Sequence, residues 1–151
     1  GKIVFADLDG DRRDDYLVVH ADSSVSAYRN NGISGPAGIS AISWTPLGRI
    51  AGGVDSSGRR IQFADLNCDN RADYLQVGVD GSVNAFLNGG VPTTAGRPRP
   101  IRWTSLGQIF DGVPAGGSDP QIQFADLNAD GKADYLNVRP NTSVTGHLNA
   151  S

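Results

Sequence analysis

The 151-residue sequence predicts an all-β protein assembled from a repeated unit of four antiparallel strands. Three observations support this: one segment recurs three times, short β-branched and aromatic runs alternate with turn residues, and the residues of helical surfaces are scarce. All 16 acidic residues are Asp, and lysine occurs only at Lys2 and Lys132. Because exposed helix surfaces favour Glu and Lys, most helical architectures are excluded.

The recurring segment begins Phe-Ala-Asp-Leu, continues through a loop rich in Asp and Asn, and ends Asp-Tyr-Leu. It occupies residues 5–17, 63–75 and 124–136, at offsets of 58 and 61 residues. Each copy is followed by a second repeated segment. A third repeated segment occurs twice, at Trp44–Ile50 and at Trp103–Ile109. Three aligned copies at this density indicate a repeat architecture.

Each period contains four short runs with the composition of strands. In the first period they span residues 3–8, 15–20, 25–29 and, after a connector rich in Gly and Pro, 43–50. A period near 60 residues with four antiparallel strands is typical of one blade of a β-propeller. The chain would hold about 2.75 such blades. We assign them to residues 1–60, 61–120 and 121–151, together part of one propeller domain.

A blade cannot bury both of its faces alone, so the outer blades need neighbours. We therefore expect this chain either to be part of a longer propeller or to close a ring with other copies of itself. A glycan or a protein ligand is a further candidate partner.

The loop that follows the first strand of each period carries the chemistry. Oxygen-bearing side chains stand at its positions 1, 3, 5 and 9, and position 7 can offer its backbone carbonyl. The side-chain candidates are Asp7, Asp9, Asp11 and Asp15 in loop 1, Asp65, Asn67, Asp69 and Asp73 in loop 2, and Asp126, Asn128, Asp130 and Asp134 in loop 3. The position-7 candidates are Arg13, Arg71 and Lys132.

Alternate spacing over a tight turn directs these oxygens at one centre, and a ligand set of oxygens alone suits a hard cation. Ca²⁺ fits better than Mg²⁺ because it accepts irregular cages of six to eight oxygens. We expect about three calcium ions per chain. The loops differ from EF-hands because Val18, Gln76 and Asn137 stand where that motif needs Glu. The alternative, Asp-rich turns without metal, does not require ten Asp residues at ligand positions.

Position 6 of such a loop often has a positive φ, which glycine adopts freely. Gly131 satisfies this requirement and Asn70 tolerates it, whereas Arg12 would be strained by about 1 kcal/mol. Against this strain, loop 1 has four carboxylates where the other loops have three, and a higher ligand charge tightens the binding of Ca²⁺. The order of the three affinities therefore stays open.

The pattern Phe-Ala-Asp-Leu-(Asp/Asn)-x-Asp-x-x-x-Asp-Tyr-Leu resembles the FG-GAP/VCBS repeat of integrin α-subunit propellers, fungal propeller lectins and many secreted microbial proteins. The resemblance covers essentially the whole chain, and Arg12 and Asn70 depart from it at the usual Gly. It implies calcium at the Asp and Asn positions of the three loops. Trp-x-x-Leu-Gly and the Asn-Gly turns are similar to repeats appended to secreted hydrolases, including SGNH-type esterases.

From these features we expect a non-catalytic calcium-binding module that is an accessory or interaction domain of a secreted protein. The alternatives are a carbohydrate-binding lectin and the propeller part of a secreted hydrolase whose catalytic residues lie elsewhere. The net charge of −3 argues against binding nucleic acid. The sequence contains no run of roughly 18 apolar residues, so it predicts no membrane-spanning helix. Asn141 and Asn149 begin sequons for glycosylation.

Trp44 and Trp103 occupy equivalent places in the repeat. Aromatic side chains on a surface could stack on sugars, but equivalent placement argues first for packing between blades. The same holds for Tyr16, Tyr74 and Tyr135. We therefore expect these aromatic residues to be structural.

Overall fold

A computed structural model describes residues 1–36, 41–53, 60–94, 96–113 and 121–150. These residues form three main antiparallel sheets, which we number I to III along the chain, and one short hairpin. Strands are the regular elements throughout, as predicted. The described residues contain no helix of the length and hydropathy needed to cross a membrane.

Sheet I contains four strands in chain order. They are β1 (Lys2–Ala6), β2 (Asp15–Val19), β3 (Ser24–Ser34) and β4 (Ala41–Gly52). The third and fourth strands are longer than predicted, because the hairpin continues outward past the sheet and pairs Ile33 with Ile42. β-branched residues favour such cross-strand pairing.

Sheet II repeats this order with four strands, and a small hairpin is inserted before its last strand. The sheet strands are β5 (Arg60–Ala64), β6 (Asp73–Val77), β7 (Val83–Asn88) and β10 (Trp103–Phe110). The hairpin strands are β8 (Thr93–Thr94) and β9 (Arg97–Pro98). Parts of the predicted connectors, residues 37–40, 54–59 and 114–120, lie outside the described residues.

Sheet III has three strands among the described residues. They are β11 (Gln121–Ala125), β12 (Asp134–Val138) and β13 (Val144–His147). The predicted sequence of four, four and three strands is thus present, although the described residues do not close into a ring.

Two apolar cores lie between neighbouring sheets. Leu8, Leu17 and Val25 of sheet I pack with Ile61 and Tyr74 of sheet II. A second core joins sheet II to sheet III through the following residues: Leu66, Leu75, Val77, Val83, Ile122 and Tyr135. Each sheet therefore buries one face against the next, which a single sheet could not do alone.

Hydrogen bonds at equivalent positions join the sheets as well. The Asn88 side-chain amide donates to the Leu8 carbonyl, and the Asn149 side-chain amide donates to that of Leu66, at 2.9 and 2.7 Å. The Tyr74 hydroxyl donates to the Ser23 carbonyl at 3.4 Å. The Tyr135 hydroxyl donates to the Gly81 carbonyl at 3.1 Å, which repeats that contact.

The outer faces of sheets I and III expose apolar residues whose counterparts are buried. Ile3 is 53% exposed, whereas the equivalent Ile61 is 4% exposed. On the opposite face Leu127 is 49% exposed, although its counterparts Leu8 and Leu66 are at most 6% exposed. The two outer faces thus have the composition of inter-sheet surfaces.

Candidate calcium loops

The three predicted loops connect the first and second strands of their sheets, so they lie side by side at one end of the molecule. The amide of Ala72 donates to the carbonyl of Asp7, and that of Ala133 to the carbonyl of Asp65, both at 2.7 Å. The contact continues at Gly131, where an added Cβ would lie 2.4 Å from the Cys68 sulfur. Each loop therefore rests on the next.

The first Asp of each loop folds the loop around its carboxylate. Asp7 accepts the amides of Gly10 and Arg12, each at 2.7 Å. The equivalent bonds of Asp65 run from the amides of Cys68 and Asn70, each at 2.8 Å. In loop 3, Asp126 likewise accepts the position-6 amide, that of Gly131, and also the amide of Asp130 at position 5. Such bonds are the side-chain turns that Asp favours.

The ninth residue of each loop is fully buried and ties the loop to the third strand of its sheet. Asp15 accepts the Leu8 amide at 3.0 Å and the Asn30 amide at 2.8 Å. Asp73 and Asp134 make the same pair of bonds in their sheets. All three side chains are 0% exposed. Because a carboxylate has about four acceptor sites, two amide bonds leave lone pairs that could bind a cation.

The backbone confirms the positive φ predicted at position 6, where Arg12, Asn70 and Gly131 have φ of 67°, 63° and 84°. Position 4 also has positive φ, which was not predicted from the sequence. The residues there are Gly10, Cys68 and Ala129, with φ of 80°, 62° and 62°. The signal was weak because Cys and Ala carry no preference for this conformation, and only Gly10 indicated it.

Loop 1 brings three carboxylates together. One oxygen of each of Asp7, Asp9 and Asp15 lies within 4.8 Å of the others. The pKa of Asp15 is raised to about 6, mainly by burial and to a smaller extent by the charges of Asp9 and Asp7, although the amide bonds from Asn30 and Leu8 lower it. Burial and the charge of Asp11 also raise the pKa of Asp9. Negative charge is therefore concentrated where a cation would relieve it.

Loop 2 shows the same electrostatics with one carboxamide in place of a carboxylate. Burial raises the pKa of Asp73 to about 6, with contributions from the charges of Asp69 and Asp65. The Asn67 side-chain amide donates to Asp69 at 3.0 Å. Loop 3 repeats this bond between Asn128 and Asp130, also at 3.0 Å. The carboxamide thus stabilises the carboxylate beside it.

The position-5 carboxylates interact with the basic residue two positions later. Asp11 pairs with the guanidinium of Arg13, and Asp69 pairs with that of Arg71 at 2.7 Å. The same arginines donate to the carbonyls of Asn30 and Asn88. In this geometry positions 1, 3 and 9 are the first candidates to hold a cation in loop 1, and position 5 would have to share its carboxylate with the arginine.

The two sequons differ in their surroundings. Asn141 is exposed, and its side-chain oxygen accepts the amide and hydroxyl of Ser143. The Asn149 nitrogen instead donates to the carbonyls of Leu66 and Ala133. A glycan would have to be attached through that nitrogen, so the geometry weighs against glycosylation of Asn149. Ser151, which completes its sequon, lies outside the described residues.

These loops and sheets define an all-β repeat protein in which loop 1 brings three carboxylate oxygens together. Residues 7–76 match the model of a family described as FG-GAP-like repeat. The match starts at the first Asp of loop 1 and ends in β6, so it includes loops 1 and 2. The resemblance predicted from the sequence is confirmed over this segment, which is similar to an FG-GAP-like repeat. No curated protein matches the chain.

Proposed function

We propose that the chain is a calcium-binding propeller module that has no catalytic role and is an accessory or interaction domain of a secreted protein. The observation that carries the proposal is the cluster of Asp7, Asp9 and Asp15, whose oxygens approach within 4.8 Å in a loop that recurs three times. The match to the FG-GAP-like repeat supports the same conclusion.

Calcium is the cation that this ligand set favours. The candidate atoms are carboxylate, carboxamide and carbonyl oxygens on flexible turns, and Ca²⁺ tolerates such irregular cages, whereas Mg²⁺ requires near-octahedral geometry and retains water. A bound ion would also offset the burial and the smaller carboxylate repulsion that together raise the pKa of Asp15 and Asp73.

The role that we propose for calcium is structural. Each loop joins two strands and rests on the neighbouring loop, so an ion would stabilise a sheet and its junction together. At a free calcium concentration of 100 times the dissociation constant, each site would add about 2.7 kcal/mol to the free energy of unfolding. Extracellular modules bind calcium with dissociation constants of about 10⁻⁴–10⁻³ M, a range that suits a stabilising role of this kind in a secreted protein.

The proposed interaction role rests on the two outer faces. Ile3 and Phe5 on sheet I are 53% and 58% exposed, and Leu127 and Val144 on sheet III are 49% and 56% exposed. Clustered apolar residues at a surface mark sites of protein contact. Further propeller blades or other copies of this chain are the partners that we propose for these faces.

Calorimetric titration of the apo protein with Ca²⁺, with thermal unfolding measured in parallel, tests the proposal. The Asp9→Ala variant is the best probe, because among the described residues the Asp9 carboxylate accepts a single loop bond, from the Asp11 amide at 3.3 Å. We expect about three bound ions in the parent protein and about two in the variant. The variant should melt at a lower temperature than the parent protein in calcium, and at the same temperature as the parent protein in chelator.

Asp14→Ala is the matched control, since Asp14 is exposed, adjacent to the cluster and identical in charge. It should bind as many ions as the parent protein. Equal losses of melting temperature for Asp9→Ala in calcium and in chelator would overturn the metal assignment of loop 1.

A further inference from the structure

The connector between β7 and β10 carries a group of basic residues that the first period lacks. Arg97, Arg99 and Arg102, which we call the arginine set, stand within six residues, and no acidic residue occurs in residues 81–110. The corresponding connector of the first period, residues 31–43, contains no charged residue. Because the whole chain has a net charge of −3, the arginine set is a local concentration of positive charge on an acidic protein.

The arginine set is exposed to solvent. The arginines of loops 1 and 2 differ from it, since Arg13 and Arg71 pair with the carboxylates two residues earlier. Within the part of the chain that the structure describes, no carboxylate lies at ion-pair distance from the arginine set. The three guanidinium groups are therefore available to an anion from outside the chain.

Hydrogen bonds hold the backbone that carries the arginine set. β9 pairs with β8, the Arg99 amide donates to the Pro92 carbonyl at 2.7 Å, and the Arg102 carbonyl accepts the Gly89 amide at 2.9 Å. Arg97 and Arg99 each precede a proline, which restricts their backbone to extended conformations. The spacing of the three charges along the connector is thus fixed by the fold.

The connector is also anchored to the apolar core between sheets I and II. Ile101 is 6% exposed and belongs to that core, and Val91 packs against it. Since the backbone beside the arginine set is already ordered, binding an anion costs less conformational entropy here than it would on a mobile loop.

The surface around the arginine set is polar. Among the described residues from 80 to 105, no large hydrophobic side chain is exposed, and the first ones on either side are Val79 and Leu106. A protein interface normally has an apolar centre with aromatic anchors, which this surface lacks. A hydrated polyanion needs no such centre, because charge neutralisation and the release of counterions supply its affinity.

We propose that the arginine set is a binding site for a sulfated polysaccharide. Guanidinium groups bind oxyanions through two parallel hydrogen bonds, and short segments rich in basic residues are typical of heparin-binding surfaces. The three charges lie within a segment at most about 18 Å long. A polymer with more than one anionic group per sugar matches this charge density better than a polymer with one carboxylate per sugar. The inference rests on the interaction role proposed above, for which it names a partner.

A fluorescein-labelled heparin oligosaccharide tests the proposal by anisotropy with the full chain. We expect saturable binding that weakens as the salt concentration increases. The double variant Arg97→Gln/Arg99→Gln should bind at least tenfold more weakly, and Arg102→Gln alone should also weaken binding. Lys2→Gln/Arg139→Gln is the matched control, since it removes the same charge from exposed residues at the opposite end of the sheets. The control should bind within about twofold of the parent protein.

Competition identifies the class of polyanion. Heparin should displace the labelled probe more strongly than polygalacturonate, polyglutamate or duplex DNA at equal charge concentration. Absence of binding, equal weakening in the two double variants, or equal displacement by one of the other polymers would each overturn the proposal. The arginine set lies outside the calcium loops, so binding should persist in chelator. Failure of this proposal is therefore distinguishable from failure of the metal assignment.

Discussion

Asn88 donates its side-chain amide to the carbonyl of Leu8, which lies 80 residues earlier in the chain and in another sheet. The distance is 2.9 Å, and the same amide group also donates to the Ala72 carbonyl at 3.0 Å. Asn88 is 2% exposed and Leu8 is fully buried. One carboxamide thus joins two sheets and closes the loop of its own sheet.

Replacing Asn88 by Ala should lower the free energy of unfolding by about 2–4 kcal/mol, since the buried Leu8 carbonyl and the half-buried Ala72 carbonyl lose their donor. Asn30→Ala is the matched control. Asn30 is the equivalent residue of sheet I, but its side-chain amide donates to the backbone carbonyl of Asp14 within its own sheet. Urea denaturation of both variants measures the difference. Equal losses would mean that the bond between the sheets contributes little.

The fold was largely predictable because its period is visible in the residues. Three copies of one loop and two of one Trp-containing strand predicted the strand order. The long hairpin of β3 and β4 was missed because Ile33 and Ile42 extend the pairing beyond the buried region, where composition carries little information.

The arrangement of side chains in the candidate loops was predictable in part, and that of the backbone less so. Asp and Asn at alternate positions identified the loops, whereas the positive φ of Cys68 and Ala129 has no signature in residue type. The arginine pairs were missed for a different reason. Arg13 and Arg71 were considered for their carbonyls, and their side chains interact with the position-5 carboxylates because the turn brings residues two apart together.

The two tryptophans of the repeat should differ in their contribution to stability. Trp103 donates to Ile50 across the junction of sheets I and II, whereas Trp44 is 37% exposed and contacts Tyr16 in its own sheet. Trp103→Phe should cost about 1–3 kcal/mol, because the Ile50 carbonyl loses its donor. Trp44→Phe should cost less than half as much. Thermal unfolding by calorimetry measures both, and the reverse order would show that the junction does not depend on this bond.

Gly131 should tolerate no side chain while Cys68 is present. A Cβ at Gly131 would lie 2.4 Å from the Cys68 sulfur, and its φ is 84°. Gly131→Ala should therefore cost more than the roughly 1 kcal/mol expected for a positive φ alone. In a Cys68→Ala background the cost should fall to about that value.

Gly107→Ala is the control for this pair, because Gly107 has a φ of 71° and no atom within 4 Å of an added Cβ. Chemical denaturation in calcium-free buffer keeps any metal effect out of the comparison. A cost for Gly131→Ala that is the same with and without the Cys68 sulfur would contradict the proposed contact between loops 2 and 3.

Without calcium, stability should fall as pH rises through the acidic range. Burial raises the pKa of Asp15 and of Asp73 to about 6 from an ordinary value of 3.8. The folded protein therefore binds protons more tightly than the unfolded chain, so the free energy of unfolding is highest below about pH 4 and decreases until about pH 6. Asp22 and Asp130 have lowered pKa values. Their contributions to the free energy of unfolding have the opposite sign and change with pH below this window, at pH values under about 4.

Calcium should reverse this trend, because it binds the deprotonated carboxylates and its contribution increases as they ionise. Urea denaturation across the window, in calcium-free buffer and at saturating calcium, measures both slopes. Asp14→Asn should leave the calcium-free slope unchanged, since Asp14 is exposed and outside the cluster. A stability that stays constant or increases with pH in the absence of calcium would contradict this prediction. It would show that the amide bonds alone offset the cost of burying the ionised carboxylates.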